Sequence, residues 1–150
     1  MKNAIDFFRT PPADSHSALK IADEAEACAA VLVACLHSDE LYGMTENAAF
    51  QAVIESRNIF KGRDAKALVA QAEQNYEQAG SPAALIDAAI GAIREQTRLP
   101  LFYHCLDVIL ADGLVTPQEH KIFQYLKGKF KVGDAAAEKG LEVLLAKNRL

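Results

Sequence analysis

The chain has 150 residues, about half of them hydrophobic and 24% charged, with a net charge of −4 and a pI near 5.5. That balance excludes a disordered chain, and it excludes the basic surface that nucleic-acid binding needs. The length suits one domain, residues 1–150, able to bury a core without staples. Acid is concentrated early, with nine acidic against three basic side chains in residues 1–55. That surface is either a solvated helix face or an attractor for cations or a basic partner.

Alanine is abundant and β-branched and aromatic runs are sparse, so the elements are read as helices. A short helix is expected over residues 4–9, ended by Pro11 and Pro12. Asp14 or Ser15 is expected to cap a long helix reaching about His37, with Leu19, Ala22, Cys28, Val31, Leu32 and Cys35 on its apolar side. Its end is apolar nearly all round, which places it at the bundle centre. After a loop at 38–43, a helix runs to about Phe60 with Phe50, Val53 and Ile54 inward.

Asp64 caps the next helix, which carries Leu68, Val69, Ala72 and Tyr76, and Gly80 ends it in a left-handed stop. Ser81-Pro82 starts a helix expected over 81–98. Pro100 opens the one that breaks at Asp112-Gly113, and Thr116-Pro117 starts another to about Phe130. Asp134 caps the last, with Leu141, Val143, Leu144 and Leu145. The expected fold is all-α, one bundle of about seven helices with no strand.

Two segments resemble each other. Asp39, Glu46 and Phe50 are each matched 73 positions later by Asp112, Glu119 and Phe123. Phe60-Lys61 through Asp64 is matched 70 positions later by Phe130-Lys131 through Asp134. The reading is a two-fold helix-turn-helix repeat, units about 18–79 and 100–150, joined by helix 81–98.

Each unit holds an acidic turn. In the second, Gly113 permits a positive φ, Thr116 can cap the following helix, and Glu119 stands where a capping box needs it. Capping explains the turn without a ligand. The alternative takes Asp39, Glu46, Asp112 and Glu119 as oxygen donors which, if the repeat brings them together, suit Ca²⁺ or Mg²⁺. Neither turn is an EF-hand, because the alternating acids before the glycine are missing.

Asp112-Gly113-x-Val115-Thr116-Pro117-x-Glu119, between two apolar helices, resembles the motif of the tellurite-resistance TerB family. The turn from Asp39 to Glu46 fits the same pattern, with Glu40 where glycine stands in the second, and the resemblance covers about 18–150. It implies a non-enzymatic, cytoplasmic stress-resistance protein that associates with membrane-bound partners and carries its metal-binding surface on the acidic turns. A related domain in membrane-anchored co-chaperones makes a metal-independent interaction module the alternative.

The remaining chemistry-bearing residues fit a structural reading. Cys28, Cys35 and Cys105 form an odd set without CxxC, expected as buried free thiols of a reducing compartment. His37 and His104 read as core or boundary histidines, and His104 and Cys105, being neighbours, diverge on a helix. Lys127, Lys129, Lys131 and Arg57 read as solvated bases near helix ends. No apolar stretch has the roughly 20 residues a membrane span needs. Carboxylate metal catalysis in a bundle would need Glu-x-x-His pairs, which do not occur.

Overall fold

A computed structural model of the chain describes residues 19–38, 44–111 and 117–150. Among these it contains seven α-helices and no strand: α1 Glu24–His37, α2 Met44–Ser56, α3 Ala65–Ala79, α4 Pro82–Ile90, α5 Glu95–Ile109, α6 Pro117–Phe130 and α7 Asp134–Asn148. The all-α expectation therefore holds. The expected helix over 4–9 and the caps at Asp14 and Ser15 lie outside the described residues.

Helix α1 is the axis of the bundle. Every residue from Ala27 to Leu36 is buried, and α2, α3, α4 and α5 pack around it. A helix apolar on all sides gains most when surrounded, as its sequence implied. It begins later than expected, however. Residues 19–22 are not helical, because the side chain of the buried Asn75 takes both backbone polar groups of Lys20. Asn75 Nδ2 donates to the Lys20 carbonyl at 2.8 Å, and Lys20 N–H donates to Asn75 Oδ1 at 3.4 Å. Asp23 then caps α1 by accepting from Glu26 N–H, while Glu26 Oε1 accepts from Ala22 N–H. Arg63 closes the cap, reaching Asp23 at 2.9 Å and Glu26 at 3.5 Å.

Local signals placed the middle of the chain well. Asp64 accepts from Lys66 N–H, and Gly80, at φ +91°, donates back to the Tyr76 carbonyl. Ser81 Oγ accepts from Ala84 N–H with Pro82 opening α4. Helix α2 stops at Ser56, and its expected last turn is a separate 3-10 turn, Asn58–Phe60, set off by the extended backbone of Arg57.

Helix α4 stops at Ile90 rather than near residue 98, and α5 starts at Glu95, leaving Pro100 inside it. Glu24 of α1 explains the displaced start. Its carboxylate accepts from Arg94 N–H at 2.8 Å and from Arg94 Nε at 2.9 Å. A residue 70 positions away thus supplies the cap that α5 lacks locally.

The last helix also differs from expectation at its start and on its inner face. Gly133 is its N-cap, and Asp134 is its first residue, ion-paired with Lys127. Its buried face is made by Ala137 and Gly140, whereas Val143 is exposed and Leu141, Leu144 and Leu145 are half-buried. Tyr103 fills the space over Gly140 and donates its hydroxyl to the Ala136 carbonyl at 2.9 Å.

Candidate functional site

The two acidic turns connect α1 to α2 and α5 to α6, and α1 packs on α5. Asp39 and Asp112 lie outside the described residues. Glu46 sits in the first turn of α2, with its backbone alone described. Glu119 is the third residue of α6 and is 2% exposed. Its neighbour His120 is exposed, the divergence expected of consecutive helical residues.

Burying a carboxylate is costly unless its oxygens are hydrogen-bonded. Among the described residues, no buried side-chain nitrogen or oxygen lacks a partner, so Glu119 is satisfied where it stands. Also among the described residues, no group of three or more His, Cys, Asp or Glu side chains is arranged to hold a metal ion.

The approach to the first turn is held by contacts absent from the sequence reading. Ser38 is buried, and its hydroxyl donates to the Cys35 carbonyl at 2.7 Å. His37 stacks on Tyr76 of α3, with ring centroids 4.2 Å apart and planes 12° apart. Its Nε2 lies 2.6 Å from Glu73 Oε1. Helix α3 thereby clamps the end of α1 immediately before Asp39. Glu73 and Tyr76 share a helix face by their spacing, but nothing local pairs them with His37.

The cysteines behave as expected and converge further than expected. All three are free and buried. Burial pushes the Cys28 thiol up to about 12. Burial, then a hydrogen bond with Cys35, holds the Cys105 thiol well above its ordinary range. Thiols in that state are neither nucleophiles nor ready metal ligands.

Two of the four basic residues are more engaged than a solvated reading implies, while Arg57 and Lys131 are exposed as expected. Lys127 pairs with Asp134, and Lys129 reaches Asp87 at 3.1 Å. His104 is half-buried on α5, as a boundary histidine should be; burial lowers its pKa, and the nearby Arg57 charge lowers it further.

No helix among the described residues is long and apolar enough to cross a membrane. Comparison with curated proteins and with solved structures finds no match. The family model for tellurite resistance protein TerB matches residues 25–140, which takes in α1 to α6, both acidic turns and the start of α7. With well over half of the chain so matched, it belongs to the TerB tellurite-resistance family.

Proposed function

We propose that this protein is a non-enzymatic scaffold in resistance to tellurite and related chemical stress, binding a divalent cation at its acidic turns and associating with membrane-bound partners from the cytoplasm. The family match carries the resistance role, and the TerB family is generally non-enzymatic. The metal reading rests on the donor set. Asp39, Glu46, Asp112 and Glu119 are all carboxylates, the hard oxygen ligands that Ca²⁺ and Mg²⁺ take.

In this reading the 73-residue repeat puts equivalent donors at the α1–α2 and α5–α6 junctions. The contact between α1 and α5 supports a common location for those junctions. A carboxylate has about four acceptor positions, so Glu119 can keep its hydrogen bonds and still offer an oxygen to an ion. The bound cation would neutralise the clustered acid and order the two turns.

Calorimetric titration with Ca²⁺, Mg²⁺, Mn²⁺ and Zn²⁺ tests the metal part. Saturable binding is expected, and the Asp112→Asn, Glu119→Gln double variant should abolish it. An Asp39→Asn, Glu46→Gln variant tests the other turn, with thermal melts confirming that both variants fold. Undiminished binding in the two variants removes these residues from any site.

One observation favours a second reading, a metal-independent interaction module. Glu119 is buried with its hydrogen-bonding needs already met, as a capping residue would be. Capture of membrane proteins from a detergent extract, equal with and without chelator, would select that reading.

A further inference from the structure

A cavity of about 240 Å³ opens between α1, α2, the 3-10 turn and α5. Its floor is apolar, made by Cys28 and Leu32 of α1, Val53 of α2, Phe60 of the turn and Leu101 of α5, each at most 5% exposed. Its polar side is formed by Arg57, His104, Gln96 and Thr97, and among the described residues no acidic side chain lines it; Glu24, which Thr97 hydrogen-bonds, is held by Arg94.

Of the described arginines without an ion pair, Arg57, Arg98 and Arg149, Arg57 alone lines this cavity. Arg63 is held by Asp23 and Glu26, and Arg94 by Glu24. Arg57 forms no ion pair with any described residue, and its Nε donates to the hydroxyl of its neighbour Ser56 at 3.2 Å. Among the described residues the terminal nitrogens of the guanidinium meet no acceptor. The extended backbone at Arg57, where α2 gives way to the 3-10 turn, is what sets this side chain at the cavity.

The geometry points to a binding site for a small amphipathic carboxylate, an unbranched aliphatic acid whose chain enters the apolar floor while its carboxylate meets Arg57 and His104. Charge complementarity selects the anion: a planar guanidinium matches a carboxylate with two parallel hydrogen bonds. An uncharged alkanol would leave Arg57 without an anion, and an alkylammonium would face a like charge. The volume lies just below the usual range for ligand pockets, which fits a short or medium chain rather than a large cofactor.

The groups facing His104 give the proposal a second signature. Arg57 disfavours its protonation, whereas Asp107, itself 3.6 Å from Lys147 of α7, favours it. A carboxylate placed between Arg57 and His104 offsets the Arg57 charge, so ligand binding should raise the His104 pKa.

The test uses the full chain with chelator present, which separates it from any metal effect. Alkanoates of four to twelve carbons, kept below micelle-forming concentrations, are titrated by calorimetry, alongside octan-1-ol and octylammonium. The imidazole of His104 is followed by NMR. Affinity is expected to rise about three- to fourfold per methylene until the cavity fills, then level off. Octanoate should bind at least about tenfold more tightly than octan-1-ol, and Arg57→Gln should remove that advantage. Arg57→Lys should retain part of it. Arg57 is exposed, so neither substitution threatens folding. No saturable binding, equal affinity for acid and alcohol, an unaffected Arg57→Gln variant, or an unmoved His104 titration would each overturn the proposal.

Discussion

Glu24 holds the N-terminus of a helix 70 residues away, and removing its carboxylate should loosen that helix without touching the core. The side chain is 17% exposed and accepts from Arg94 N–H and Arg94 Nε, with the Thr97 hydroxyl as a third partner. The bond to Arg94 N–H does the work of an N-cap, about 1 kcal/mol. The pair with the mostly exposed Arg94 side chain adds about 0.2–1 kcal/mol, and the acid at the first turn of α1 about 0.3–1 kcal/mol more. Glu24→Ala should therefore cost about 1.5–3 kcal/mol, or roughly 3–12 °C in Tm for a chain of this size.

Glu24→Gln keeps an oxygen for Arg94 N–H and loses the charge, so it should cost only the two charge-dependent contributions, about 0.5–2 kcal/mol. Burial alone would raise the Glu24 pKa, but the hydrogen bonds from Arg94 and Thr97 outweigh it, and the net shift is downward. A carboxylate with a lowered folded pKa stabilises fully above its unfolded value and loses that contribution as pH falls through the folded one. The gap between wild type and Glu24→Ala should accordingly be constant near neutrality and narrow below the ordinary glutamate value of about 4.5. Urea unfolding at a series of pH values measures it, and amide exchange locates it at the start of α5. A Glu24→Ala variant within about 0.5 kcal/mol of wild type at pH 7, or one whose amide exchange at the start of α5 is unchanged, would refute the long-range cap.

Three further outcomes follow from local geometry. Lys131 closes α6 at φ +57°, a left-handed conformation that glycine adopts without penalty, so Lys131→Gly should stabilise by about 0.5–1 kcal/mol in urea unfolding. A Cβ at Gly140 would stand 2.3 Å from Tyr103 Cε1, in a ring held by its bond to Ala136, so Gly140→Ala should cost about 1–3 kcal/mol. In a Tyr103→Ala background that cost should vanish, which thermal melts of the four proteins would establish. Cys28, Cys35 and Cys105 should resist alkylation at pH 8 until the protein unfolds, given their burial and the raised Cys28 and Cys105 thiols; prompt labelling of the native protein by mass spectrometry would contradict this.

Wherever a helix end is decided within a few residues, the amino-acid sequence was sufficient. Asp64, Gly80 and Ser81-Pro82 act as read, because a cap satisfies its own nearest amides and carbonyls. The central position of α1 was equally legible, since a segment apolar on every side has no face to offer water. Family membership was legible from one turn motif and is borne out by the match over residues 25–140.

Ends decided by distant partners were not. Asn75 holds Lys20 out of helical geometry, and Glu24 moves the start of α5 ahead of Pro100, both through hydrogen bonds spanning more than 50 positions. In the candidate site, the residue types were readable but the clamp of His37 by Glu73 and Tyr76 was not. Periodicity assigns a side chain to a face of its own helix, while the partner on another helix is chosen only when the bundle closes. That is how Arg57, one of several surface bases by sequence, comes to stand beside His104 over an apolar cavity.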